Sequence, residues 1–332
     1  MAIHKYSLKG SLIWARNVSV NGVVTPHGVA VDAANNIYVI GYFGLTGGAP
    51  SSGDFDPGPA TATLTNSGGW DPFVAKYDPD GNYVWARTFG NTATATTDER
   101  TWDLAVDASG NVYVAGFFNG TYDLDASPGG VNQLTSAGGT DAFIVKYDTT
   151  GNHIWGFGLG STGDDEGFAV AVDNAGHVFF QGDFSGTVDF DPGPGSSNLT
   201  SAGGTDVFIA RFNTNGTFEQ AVRVGGSLPE TTPPGTMRAD SAGNVDLAGR
   251  FRGTVDLDPG SGTANVVNNE ASDNIFVASY TPSLTLRWGF GIASDGGLDG
   301  GHRVAIDSLN NVYVTGWFSG AGTSTADRAL IT

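Results

Sequence analysis

Cysteine is absent from this chain of 332 residues, so neither a disulfide nor thiolate chemistry is available to it. That suits a cytosolic protein, or a bacterial secreted one that does without bridges. Basic residues are few, 15 Lys and Arg against 34 Asp and Glu, for a formal charge of −19. That balance argues against nucleic acid and anionic membrane surfaces as partners, since both would be repelled. A cation or a basic protein surface would be attracted. No apolar run approaches bilayer-spanning length, so membrane insertion is not expected. The opening MAIHKYSLKG has no signal-peptide pattern, and an export signal, if there is one, would lie outside this chain. Glutamate is scarce too, only five residues, at 99, 166, 219, 230 and 270. Solubility alone would use Glu as readily as Asp, so the preference for Asp points to turns, caps and oxygen ligands.

What is abundant is glycine, at 51 residues, with many Val, Thr, Phe, Tyr and Trp, a composition of strands and turns. The order is repetitive. GNVYVAG at 110–116 recurs as GHVFFQG, GNVDLAG, NNIYVIG and NNVYVTG, with closing glycines Gly41, Gly116, Gly182, Gly249 and Gly316 spaced 75, 66, 67 and 67 apart. The first gap is long because six extra residues separate Gly41 from Asp54. A second motif, FVAKYDPDGNYVWAR at 73–87, has four further copies, the first at 2–16. Each motif reads as a hairpin. The residue after the first turn is Asn35, Gly110, Gly176, Gly243 or Asn310, types that adopt the left-handed conformation cheaply.

Two hairpins per repeat give four strands, A to D, in about 67 residues. In FAVAV of the third copy Phe168, Val170 and Val172 face one way, Ala169 and Ala171 the other, so both faces are apolar and both are covered. The expectation is an all-β, five-bladed β-propeller of four-stranded blades in a single domain. It has a half-blade at 1–27, repeats at 28–102, 103–167, 168–235 and 236–301, and a half-blade at 302–332. N-terminal strands C and D would pair with C-terminal strands A and B to close the ring and remove exposed edges. An open arc from a longer array is the competing reading.

The stretch GFGLGSTGDDEGFAVAVDNAGHVFFQGDFSGTVDFDPGPGSSNLTSAGGTDVFIARFNTNG, 156–216, resembles the bacterial SBBP β-propeller repeats, and the likeness runs through essentially the whole chain. It implies the propeller fold and a secreted or cell-surface location in bacteria, often by type IX secretion, but no activity. Gln220 departs from the Trp at 14, 85, 155 and 288, and Leu284 departs from the turn Gly.

Function is expected on the face that carries the long B–C connections, the insertion LTGGAPSSG and the D-to-A crossovers. Four acidic segments lie there. Asp54 and Asp56 flank Phe55, Asp123 and Asp125 flank Leu124, Asp189 and Asp191 flank Phe190, and Asp256 and Asp258 flank Leu257. Alternation buries the middle residue and projects both carboxylates together. A further Asp stands at the mouth of each strand C: Asp71, Asp141, Asp206 and, one residue out of register, Asp273. Three carboxylates converging in one blade would suit Ca²⁺, which takes six to eight oxygens. The alternative is that Asp-x-Asp-Pro-Gly is an Asx turn that ends a strand. In the fifth copy only Asp327 remains, with Thr325 in the first Asp position.

The five histidines, His4, His27, His153, His177 and His302, show no ligand spacing. Trp70 and Trp102 fall near loops and are candidates for exposed contacts. The expected role is non-enzymatic binding of a glycan or protein. The alternative is a glycosidase using crossover carboxylates, Glu99, Glu166 and Glu230 with Asp98, Asp164 and Asp165, as acid and base.

Overall fold

The computed structural model describes residues 1–45, 49–90, 99–127, 129–268, 272–293, 299–318 and 325–329. Every regular element among them is a β-strand. Strand A runs Val23–Val31, Arg100–Val106, Glu166–Val172 and Met237–Ala239 in repeats 1 to 4, with a last copy at Asp299–Ile306. Strand B runs Ile37–Gly44, Val112–Asp123, His177–Asp189 and Val245–Phe251, with a last copy at Val312–Phe318. Strand C runs Trp70–Tyr77, Gln133–Tyr147, Asn198–Asn213 and Asn274–Tyr280, and strand D Tyr83–Thr88, His153–Leu159, Phe218–Gly226 and Leu286–Ala293. In each of these four repeats the strands lie in the order A-B-C-D. The opening C–D hairpin, Ala2–Tyr6 with Leu12–Asn17, and the closing A–B hairpin each form a separate two-stranded sheet.

The turns form for the reason their residues suggest. In the A–B turns Asp32, Asp107, Asp173, Asp240 and Asp307 each accept, on Oδ1, the amides two and four residues on. The following Asn35, Gly110, Gly176, Gly243 and Asn310 all have φ between 62° and 87°. In the C–D turns Asp78, Asp148 and Asn213 do the same work. Leu284, where a turn glycine is missing, still takes φ 56°.

Two compact units divide the chain, 1–136 with 143–157, and 137–142 with 158–332. Within the first, repeats 1 and 2 share a core in which Ile40, Val74 and Trp85 meet Leu104, Val114 and Phe143. Within the second, Phe179, Ile209 and Val224 of repeat 3 meet Met237, Leu247 and Phe276 of repeat 4. Strand B of repeat 3 is buried on both faces from Val178 to Phe184, as a sheet covered on both sides requires. Strand D supplies further ties: the Trp14 indole N–H donates to Pro79 O at 3.2 Å, and that of Trp85 to Thr149 O at 2.9 Å.

A graded substitution tests the turn chemistry. A Cβ at Gly176 would meet only the Thr214 methyl, at 3.2 Å, so the penalty is mostly the left-handed backbone. Gly176→Ala is expected to lower stability by about 1 kcal/mol in denaturant melts, and Gly176→Asn by less, since Asn tolerates this region. Equal losses would contradict the turn assignment.

Candidate functional site

The B–C connection is a hairpin rather than a loop. In repeat 3 strands B and C stay paired beyond a bulge between Ser185 and Thr187, through Val188 opposite Leu199 to Asp189 opposite Asn198. The acidic pair sits where this hairpin turns over. Phe55, Leu124, Phe190 and Leu257 are fully buried between partly exposed or exposed aspartates, so the expected alternation holds in all four copies.

The first aspartate of each pair closes its tip. Oδ1 of Asp54 accepts the amides of Asp56 and Ala62, at 3.0 and 2.9 Å. Asp123 takes those of Asp125 and Asn132, Asp189 those of Asp191 and Ser197, and Asp256 those of Asp258 and Ala264. The second aspartate makes its own Asx turn, from Asp56, Asp125, Asp191 and Asp258 to the amides of Gly58, Ser127, Gly193 and Gly260. These are the turn contacts that Asp, one methylene shorter than Glu, reaches without strain.

Sequence reasoning missed a tie from strand C. The hydroxyls of Tyr77, Tyr147 and Tyr280 donate to the carbonyls of Phe55, Leu124 and Leu257, at 3.1, 2.7 and 3.0 Å. The recurring Lys-Tyr-Asp of the first two copies was the available signal. Repeat 3 has Phe212 there and lacks the hydroxyl.

The strand C aspartates do not join the pair of their own repeat. Among the described residues no three His, Asp or Glu side chains are placed to hold one metal ion. Asp71, Asp141 and Asp206 turn back instead to cap the amides four residues earlier, those of Ser67, Ala137 and Ala202, at 2.8, 3.0 and 2.9 Å. Asp273 is displaced: Asn274 pairs with Phe251 as Asp206 pairs with Phe184, so Asn274 holds the equivalent position. Asp273 forms ion pairs with Arg252 and Arg250.

Several of the crossover acids named as a candidate acid and base are enclosed by the fold. Glu99, Asp165 and Glu230 are buried. The Ser161 amide donates to Asp165 Oδ2 at 2.6 Å, and the Gly226 amide to Glu230 Oε2 at 2.7 Å. Their own amides donate back to strand C, Asp165 N to Thr140 O at 2.7 Å and Glu230 N to Thr205 O at 2.8 Å. They latch the crossover to the sheet. Burial pushes the Glu230 carboxyl up to about 8, with Asp206 adding to the shift while the Gly226 amide and Arg223 oppose it. Burial likewise pushes Asp71 and Asp141 up to about 6. Asp98, residues 46–48 of the insertion, and the side chains of Thr325 and Asp327 lie outside the described residues.

Glu166 does reach a concavity. A cavity of about 410 Å³ is lined by Glu166, Asp183, Arg250, His302 and Trp317 together with Thr231 to Pro234. Glu166 and Asp183 are cross-strand partners. Asp183 accepts the Thr232 amide and hydroxyl, and its burial raises its pKa well above the carboxylate range. Trp70 and Trp102 are half-buried, and Trp102 stacks on His27 with ring centroids 4.7 Å apart. His177 takes the place of the turn Asn, its Nδ1 2.7 Å from Asp173.

No family model matches the chain, and the resemblance to SBBP repeats rests on the motifs above. Two curated proteins are similar to parts of it. One is an uncharacterized WD repeat-containing protein of Acanthamoeba polyphaga mimivirus, 28% identical over 62% of this chain and 16% of its own length. The other is the regulatory protein FlaEY of Caulobacter vibrioides, 30% identical over 44% of this chain and 14% of its own length. The first suggests a propeller, in keeping with several small antiparallel sheets. This chain thus spans about a sixth or less of the length of the relatives it matches.

Two substitutions test these assignments. Tyr147→Phe leaves the buried Leu124 carbonyl without its donor and is expected to cost roughly 1 kcal/mol in a denaturant melt, whereas no loss would make the tie incidental. For Glu230 the folded pKa exceeds the unfolded one, so the folded chain binds the extra proton between pH 4.5 and about 8. Stability contributed there is full at the acid end and declines as pH rises through that window. Glu230→Gln, which cannot ionise, is expected to flatten that decline in melts at pH 5, 7 and 8. An unchanged slope would contradict the assignment.

Proposed function

We propose that the chain is a five-bladed β-propeller acting as a non-catalytic binding or scaffold module outside a bacterial cell, with a glycan or protein as ligand on its crossover face. The observation that carries this reading is where the carboxylates go: at hairpin tips and crossovers alike they accept backbone amides, which is architecture rather than acid–base chemistry. The likeness to a WD repeat-containing protein and the A-B-C-D sheets support a propeller. The location rests on the resemblance to SBBP repeats.

Closure has a definite register. Val39 pairs with Ala75 in repeat 1, and the matching positions at the two ends are Val314 and His4. Directly opposed strand residues fall within the Cα separations a disulfide bridges. In a chain without cysteine, Val314→Cys with His4→Cys is expected to cross-link within one molecule on mild oxidation, and Val314→Cys with Lys5→Cys is not. Failure of the first pair in folded protein would favour the open arc.

The cavity at Glu166 favours a second reading, a glycosidase, because it sets two carboxylates on adjacent strands, Glu166 and Asp183, and burial raises the pKa of Asp183. Incubation with immobilised polysaccharides separates the two. Retention without release of reducing ends supports the binding module, and hydrolysis abolished by Glu166→Gln would support the enzyme.

A further inference from the structure

Equivalent positions in the repeats deal differently with one buried carboxylate. In repeat 3 Asp206 is fully buried, and Arg223 from strand D donates to its Oδ2 at 2.6 Å. In repeat 4 the position is Asn274, which carries no charge. In repeat 1 it is Asp71, only 3% exposed. Phe73 pairs with Thr88 as Phe208 pairs with Arg223, so Thr88 stands where the arginine would be. The Asp71 Oδ2 accepts the Ser67 amide but no guanidinium, and its Oδ1, like those of Asp141 and Asp206, has no hydrogen-bond partner among the described residues.

The missing guanidinium leaves room. A polar cavity of about 160 Å³ is bordered by Asp71, Ser67, Thr65 and Thr88 of repeat 1 and by Asp123 and Asp125 of repeat 2. The segment just after strand D brings the two acidic groups together, because Gly90 and Asp123 exchange both backbone hydrogen bonds, at 3.1 and 3.0 Å. Asp123 and Asp125 each use Oδ1 on the tip amides. Among the described residues the cavity is bordered by three carboxylates and three hydroxyls and by no basic side chain. Leaving a carboxylate buried and unpaired is costly, and a positive charge beside it would relieve that cost.

We propose that this cavity is a divalent-cation site, with Asp71 as the direct carboxylate ligand and Asp123 and Asp125 balancing a partly hydrated ion, filling the role Arg223 fills in repeat 3. Oxygen-only lining and space for retained waters suit Ca²⁺. The site differs from a three-carboxylate cluster within one repeat: its acids come from two neighbouring repeats. It stands whether or not the ring closes or the crossover face binds a ligand.

The test is calorimetric titration of the full chain with Ca²⁺, Mg²⁺ or Na⁺, and thermal melts in EDTA or about 2 mM of each divalent ion. One site with a dissociation constant on the order of 10⁻⁴ M is expected to raise Tm by roughly 2–3 °C at that Ca²⁺ concentration. Asp71→Asn is expected to abolish the heat of binding and the shift. Thr88→Arg is expected to raise Tm in EDTA and abolish the Ca²⁺ increment, copying repeat 3. The double variant Asp189→Asn, Asp191→Asn, at a tip away from the cavity, is expected to keep both. Should Thr88→Arg fail to fold, Asp71→Asn against the tip variant still decides. Absence of Ca²⁺ binding in the wild type, binding unchanged in Asp71→Asn, or binding lost in the tip variant would each overturn the proposal.

Discussion

The structure depends on the reach of an aspartate carboxylate to the backbone amides that follow it. A strand that reverses direction leaves amides with no partner in the sheet, and an oxygen two bonds from Cβ meets the amide two residues on with little conformational loss. Asp32 does this in the first A–B turn, Asp78 in the C–D turn of repeat 1 and Asp54 at the first hairpin tip. The same arrangement is then copied along the chain. It explains why Asp so outnumbers Glu, and why the negative charge is compatible with compact sheets: much of it is already facing N–H dipoles.

The tip aspartates also stand where one repeat touches the next. The end of strand D pairs with the first acidic position of the following hairpin at Gly225 with Asp256, and the segment after a strand D does so at Gly90 with Asp123 and at Ser19 with Asp54. A tip that opened would loosen its own hairpin and the junction behind it. The tyrosine ties from strand C hold the same point from the other side in three of the four tips. Conformational order at the tips and cohesion between neighbouring repeats are therefore one property.

Much of this was legible in the sequence. The left-handed turn positions followed from Asn35, Gly110 and their equivalents, because so few residues tolerate that backbone. The alternation around Phe55 and Phe190 followed from the two-residue period of a strand. What stayed hidden depended on partners distant in sequence. Asp71 and Asp141 look like partners of the acidic pair in their own repeat until the amides they cap are seen. Glu99 and Glu230 look solvated because crossovers usually are, yet both are buried, and Glu230 latches its crossover against strand C. The equivalence of Asn274 rather than Asp273 with Asp206 needed the pairing register, since a one-residue offset in a strand reverses the side chain.

The central claim is that the acidic tips are closed by the backbone without help from an ion. Amide hydrogen exchange in EDTA tests it most directly, read at Ala62, Ser197 and Ala264, whose amides donate to Asp54, Asp189 and Asp256. The account requires slow exchange at all three without metal, with Ca²⁺ adding no more than the uniform slowing that global stabilisation gives to core amides. Fast exchange in EDTA that becomes slow with Ca²⁺ would contradict it and make the tips metal-organised loops.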